Sequence, residues 1–138
     1  MPVKRRKKTE RRKLKDKLEK LVKDFVRERD DYTCQRCERQ VRGTNCHASH
    51  VIPVSRDGRL AFDPINLKVL CYHDHINWWH KFPCEAGPWF IRTFPDRWDY
   101  LQARLMEHVS LGTIHLDWFE ERIAAMRQAL AATEERGL

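Results

Sequence analysis

From about residue 9 to residue 30, Leu14, Leu18, Leu21, Val22 and Phe25 recur at helical spacing while Lys and Arg fill the opposite face, which predicts an amphipathic basic helix. Asp30-Asp31 and Tyr32-Thr33 end it, and Cys34-x-x-Cys37 opens a tight turn. Between Asn45 and Pro53 the pattern reads as a short strand, followed by the polar, glycine-containing loop Ser55–Arg59. A second short strand or turn is expected around Leu60–Phe62, then turn chemistry at Asp63-Pro64-Ile65-Asn66. Leu67–Leu70 leads into Cys71, and residues 72–81 suit a helix. Pro83, Gly87-Pro88 and Pro95 interrupt the chain before a helix from about Asp96 to Val109 and a last one near Asp117–Glu135, with Asp96 and Asp117 as N-caps. In that last helix Phe119, Ile123, Met126 and Leu130 form a stripe for core or dimer contact.

This order predicts an α+β chain in three parts: a basic arm and helix over 1–30, a small mixed core over 31–82, and a helical extension over 83–138 packing on that core. At 138 residues the chain is long enough for one compact domain and too short for two. No apolar run approaches the ~20 residues of a membrane span, and the N-terminus lacks a signal-peptide core, so the expectation is a soluble, unexported, cytoplasmic protein.

Charge changes the picture at one end. Residues 1–23 carry twelve Lys/Arg against Glu10, Asp16 and Glu19, while the rest of the chain has fifteen basic and seventeen acidic side chains. Such a localised surplus suits neutralisation of nucleic-acid phosphates, and Lys4, Arg5, Arg6, Lys7, Lys8, Arg11, Arg12 and Lys13 are its candidate contacts.

Five cysteines, two of them in C-x-x-C spacing, argue against a disulfide framework and for thiolates on a metal in a reducing compartment. Cys34-x-x-Cys37 and Cys71-x-x-Asp74 are paired two-residue spacings from which four donors can converge on one zinc. Asp74 stands at the fourth position, with His73 and Cys46 as alternatives; Cys84 has no partner at ligand spacing and reads as a small buried hydrophobe. Between these knuckles and just beyond them fall His47, His50, Asn66, His75 and His80. A histidine on a strand and another on the following helix can face each other across a cleft, one activating water and the other holding a divalent cation.

Taken together, Arg29-Asp30-Asp31-Tyr32-Thr33-Cys34-x-x-Cys37, Ser49-His50-Val51-Ile52-Pro53, Asp63-Pro64-x-Asn66-Leu67 and Leu70-Cys71-x-x-Asp74-His75 resemble the successive signature blocks of HNH, or ββα-metal, endonucleases. Within that superfamily the chain is most similar to phage recombination endonucleases of the NinG type and related small phage proteins, and Trp78–Lys81 with Pro83 and Trp89-Phe90 resembles their downstream part. The resemblance implies a zinc-supported ββα core, His50 as general base, Asn66 as the loop-fixing asparagine and His75 as the helix-borne ligand of a catalytic Mg²⁺, Mn²⁺ or Zn²⁺. It departs from the pattern at Ser49, where an acid or histidine ligand is usual, and at Asp74, where the fourth knuckle cysteine is usual. His47 is a substitute ligand if the strand is bulged. One helical turn past His75 falls on Trp79, which leaves His80 as a weaker candidate.

The implied activity is metal-dependent hydrolysis of DNA phosphodiesters, with branched recombination intermediates such as Holliday junctions, or nicked duplex, as substrates and a homodimer as one assembly. The competing reading is a zinc-supported DNA-binding accessory module that keeps the scaffold without cutting. Trp78, Trp79, Arg92 and Arg97 are either base contacts or, for the tryptophans above all, core packing.

Overall fold

Thr9 adopts an extended conformation and its hydroxyl accepts the amide of Arg12 at 3.2 Å, capping helix α1 (Glu10–Arg29). The computed structural model describes residues 3, 7–54, 58–107 and 111–136, so Lys4, Arg5 and Arg6 lie outside the described residues. Helix α1 ends at Asp30, and Asp31 and Tyr32 take left-handed backbone angles (φ 52° and 48°) that reverse the chain. The Asp30 carboxylate accepts the Val69 amide at 2.9 Å, while Arg29 donates to the carbonyls of Pro64 (2.6 Å) and Leu67 (2.7 Å). The helix end is thereby tied to the strand that follows forty residues later in sequence.

That sheet has two strands, β1 (His47–His50) and β2 (Leu67–Leu70), paired antiparallel from His47↔Leu70 to His50↔Leu67. The first strand is shorter than the pattern suggested. Beyond His50 the amide and carbonyl of Ile52 bond to the side chain of Asn66 (2.7 and 3.0 Å), which takes the place of a ladder partner and lets the chain bend. Leu60–Phe62 is a 3-10 turn rather than a strand, and the second strand is the buried run Leu67–Leu70. A π-helix, His73–Trp79, follows.

The segment 83–93 departs most from expectation, because its prolines do not interrupt the chain. Pro83 opens helix α2 (Pro83–Thr93) and Pro95 opens α3 (Pro95–Leu105), each at the first turn, where the missing amide hydrogen has no intrahelical partner to lose. Pro88 lies inside α2. Asp96 lies in the first turn of α3, and Asp117 in that of α4 (Leu116–Arg136); both sit just inside the helix start instead of capping it, where a carboxylate still complements the dipole. Cys84 is exposed, contrary to the buried role read for it.

Two apolar clusters hold these pieces. Leu18, Val22 and Val26 of α1 meet Leu67, Val69 and Leu70 of the sheet and Phe119, Ile123 and Met126 of α4, so the stripe on the last helix is core. Ile52, Leu60, Phe90 and Leu101 form the second, beneath α2 and α3. No helix among the described residues is long and apolar enough to cross a membrane.

Candidate active site

Cys34, Cys37, Cys71 and Asp74 come together with one ligand atom of each within 4.8 Å of all the others. The turn carrying Cys34 and Cys37 is closed by Glu38 N–H to Cys34 O (2.8 Å) and Cys34 N–H to Arg39 O (2.9 Å), with Glu38 left-handed (φ 64°). Backbone amides of Cys37, Cys71 and Arg36 point at the Cys34 sulfur, and burial pushes that thiol up to about 12. Burial likewise raises Cys71. A buried sulfur surrounded by donors holds its proton unless a cation replaces it, so the donor chemistry fits a divalent metal such as zinc. Burial works against ionisation of Asp74, yet hydrogen bonds from Arg36, Cys34 and Cys71 outweigh it and hold the carboxyl below its ordinary range. Its two oxygens are divided: Oδ2 meets Cys34 Sγ at 3.2 Å and Oδ1 accepts Arg36 at 2.7 Å. Arg36 in turn lies over the Trp78 ring, 4.0 Å from its centroid. His73 is exposed and Cys46 is packed in the apolar core, so neither alternative joins this group.

The histidines form a second constellation, and the π-helix explains it. In an α-helix His75 would share a face with Trp79, but here the His80 amide bonds to the His75 carbonyl at 3.2 Å, an i→i+5 link. That register brings His80 Nε2 to 3.0 Å from His75 Nε2. On its other side His75 Nδ1 lies 2.8 Å from His47 Nδ1, with no bulge in β1. His47 Nε2 lies 2.8 Å from the carbonyl of Thr44, which can only accept, so this nitrogen carries the proton and His47 Nδ1 bears a lone pair. Nδ1–H of His75 donates to that lone pair, which leaves a lone pair on His75 Nε2, the nitrogen that faces His80. The three rings are therefore a relay, with His75 offering different nitrogens to its two neighbours. Burial, aided by the neighbouring His80 and His47, lowers His75 to about 4, so the ring is neutral at pH 7.

His50 Nε2 is 3.0 Å from the Ala61 carbonyl, which by the same logic places its proton on Nε2 and its lone pair on Nδ1. Burial lowers its pKa, and Lys23 and Lys68 push the same way against the Ala61 hydrogen bond. Asn66, fully buried, fixes the loop between them, since besides Ile52 it donates to the Leu60 carbonyl at 2.9 Å. His50, His75 and His80 line one open cleft of about 640 Å³, together with Lys23 and Trp79.

Ser49 does not reach this cleft. It is buried, and its hydroxyl accepts Lys68 Nζ at 2.9 Å. Lys68, wholly buried on β2, also lies over the Trp79 ring at 3.3 Å from the centroid, and burial lowers its pKa well below the usual value. Sequence reasoning missed Lys68, although a lone lysine in the run Leu67-Lys68-Val69-Leu70 was visible. It also missed the cleft wall on α2, which the prolines concealed.

Of the basic candidates, Lys7, Lys8, Arg12 and Lys13 are exposed at the start of α1, with Lys8 and Arg12 against Asp16 (2.8 and 3.5 Å). Arg11 is half-buried, donating to the Ile114 carbonyl at 2.5 Å and lying over Phe119, so it helps dock α1 on the C-terminal helix. Trp78 is buried and Trp79 half-buried. Among known proteins, no curated sequence and no solved structure matches this chain. A family model does match: residues 34–77, the stretch from the first knuckle cysteine into the π-helix, fit the model described as HNH endonuclease, a likeness confined to this segment that supports the HNH superfamily for it.

Proposed function

We propose that the protein is a metal-dependent DNA endonuclease whose general base is His50. The observation that carries this reading is that His50, His75 and His80 share one cleft while the carbonyls of Ala61 and Thr44 set which nitrogens bear lone pairs. A neutral imidazole with its lone pair on Nδ1 can take a proton from water as that water attacks the phosphate. His75 and His80, with Nε2 atoms 3.0 Å apart, are the pair that would hold a divalent ion on the cleft side, and His47 keeps His75 in the right tautomer. When bound, that ion supplies positive charge against the phosphate oxygens and the departing 3′ oxygen. An all-imidazole pair favours Zn²⁺ or Mn²⁺ over Mg²⁺. Asn66 holds the His50 loop without touching the reacting atoms. Cys34, Cys37, Cys71 and Asp74 hold a structural zinc, with Arg36 orienting the carboxylate. The exposed cations Lys7, Lys8, Arg12 and Lys13, with Lys4, Arg5 and Arg6 before them, neutralise backbone phosphates.

The test is cleavage of supercoiled plasmid and of a synthetic four-way junction with Mn²⁺, Zn²⁺ or Mg²⁺, comparing the protein with His50→Ala. The expected result is metal-dependent cutting, with 5′-phosphate and 3′-hydroxyl ends, that falls roughly 10²–10⁴-fold in the variant while DNA binding persists. Preference for the junction assigns a branched substrate; equal rates assign general nicking. DNA binding without cutting under every metal condition overturns the catalytic reading in favour of an accessory module.

A further inference from the structure

The histidine cleft has a second wall that phosphate chemistry does not use. Besides the imidazoles, Ile52, Pro53 and Val54 of the loop and Phe90 and Ile91 of α2, with Trp98 of α3, line the same cleft with apolar side chains. Val54 and Ile91 are 40% and 38% exposed, so this surface is open at its rim. The titratable groups lining the cleft are Lys23, His50, His75 and His80, and among the described residues no carboxylate lines it. Its volume of about 640 Å³ is within the ~300–1,000 Å³ range typical of clefts that bury small organic groups.

The cleft thus combines imidazoles that suit an anion with side chains that suit an aromatic or aliphatic surface. A fully paired duplex has little to offer the apolar side chains, because its base faces are stacked inside and its exterior is phosphate, sugar and polar base edges. A nucleotide whose base has left the stack offers both: a phosphate for the imidazoles and a π-face for the apolar lining. Resting on the nuclease reading above, we propose that this cleft receives one unstacked nucleobase adjacent to the phosphate at the histidines, so that the preferred substrate carries an extrahelical or unpaired base beside the cut. Stacking on an aromatic face favours binding of a base, and extracting a paired base from its helix costs a comparable amount. The two nearly cancel for paired DNA, and the gain remains only where the base is already free.

The experiment measures binding of the full zinc-loaded chain, as its non-cutting His50→Ala form, to a duplex bearing a single bulged 2-aminopurine and to the same duplex with that base paired. The expected result is roughly tenfold tighter binding of the bulged duplex, with a change in 2-aminopurine fluorescence on binding. Ile91→Gln and Val54→Gln lie at exposed rim positions and leave the charge unaltered; each is expected to lower the preference, and together they bring the two affinities within about twofold while paired-duplex binding stays unchanged. Thermal melts of both variants confirm that the fold is intact. Equal affinity for bulged and paired DNA, or a preference that survives both substitutions, overturns the proposal. So does self-association of the chain that the substitutions abolish, since a second copy would then occupy the cleft. Failure of the nuclease reading is seen separately: a wild-type chain that prefers the bulge but never cuts loses the catalysis and keeps the base cleft, whereas one that cuts without preference keeps the catalysis and loses the cleft.

Discussion

Replacing Lys68 with methionine is expected to make the protein more stable at pH 8 and to change how its stability depends on pH. The side chain has no solvent exposure, and its amine contacts Ser49, the Trp79 ring and main-chain carbonyls without a carboxylate in hydrogen-bonding range. Its folded pKa lies well below 10.5, mainly because burial removes the hydration of the charged form. At any pH between that folded value and the unfolded value of about 10.4, the unfolded chain binds one more proton than the native one, so stability rises with pH. The slope is about 1.4 kcal/mol per pH unit. Each pH unit below about 10.4 at which the folded amine stays neutral adds that slope to the cost of the lysine, against about 1 kcal/mol for its hydrogen bond to Ser49. Methionine has similar length and no charge, so Lys68→Met is expected to be more stable than the parent at pH 8, to lose that advantage as the pH rises, and to be slightly less stable above about pH 10.4. Urea unfolding at pH 8, 9 and 10 measures this directly; at an m-value of about 1.5 kcal/mol/M the midpoints should close by roughly 1 M per pH unit. Every other titrating group, the cysteines included, is common to both chains and cancels in the difference. Parallel pH curves for the two proteins would refute the reasoning.

Two further outcomes follow from the ties around the site. Stripping metal with a chelator, or substituting Cys37→Ser, is expected to lower the melting temperature and release about one zinc per chain, whereas Asp74→Cys retains the zinc; metal analysis with calorimetry reads both. Asn66→Ala removes the partner of the Ile52 amide and of the Ile52 and Leu60 carbonyls, and with ~1–3 kcal/mol for each buried group left unpaired it should cost at least about 3 kcal/mol in urea unfolding. An Asn66→Ala protein as stable as the parent would mean that this loop is held by packing instead.

How much of this could be read beforehand depended on the range of the interactions. Cys34-x-x-Cys37 and Cys71-x-x-Asp74 were legible because a knuckle is a local turn whose spacing fixes where its donors point. Leu14, Leu18, Leu21, Val22 and Phe25 were legible for the same reason, through a 3.6-residue period. His80 was legible only as a weaker candidate, since its position relative to His75 depends on a π-register that a 3.6-residue period counts out. Leu60–Phe62 stayed open between a strand and a turn because three apolar residues look alike in a strand and in a buried 3-10 turn; only the pairing of Leu67–Leu70 with His47–His50 shows which segment is the second strand. Helix α2 was hidden by Pro83 and Pro88, whose cost depends on where the helix begins. The cleft wall was lost with it.

The short strands raise a question of how histidines can be held accurately on so little scaffold. Each strand has four residues, and an isolated two-stranded ribbon of this length is not stable in water. The ribbon is instead tied from outside at each end that bears a histidine. At the His50 end, Asn66 holds Ile52, and the Ala61 carbonyl takes the His50 proton. At the His47 end, Thr44 holds the ring, and Arg27 donates to the neighbouring Cys46 carbonyl at 3.2 Å. His75 is next in sequence to Asp74, so whatever fixes that carboxylate in the knuckle also fixes the first turn of the π-helix on which His75 and His80 stand. Loss of the knuckle therefore reaches the cleft through one peptide bond, so damage there is expected to weaken the divalent-ion binding proposed for His75 and His80 and, because Cys34 is buried in the same apolar cluster as α1 and α4, to loosen that core as well.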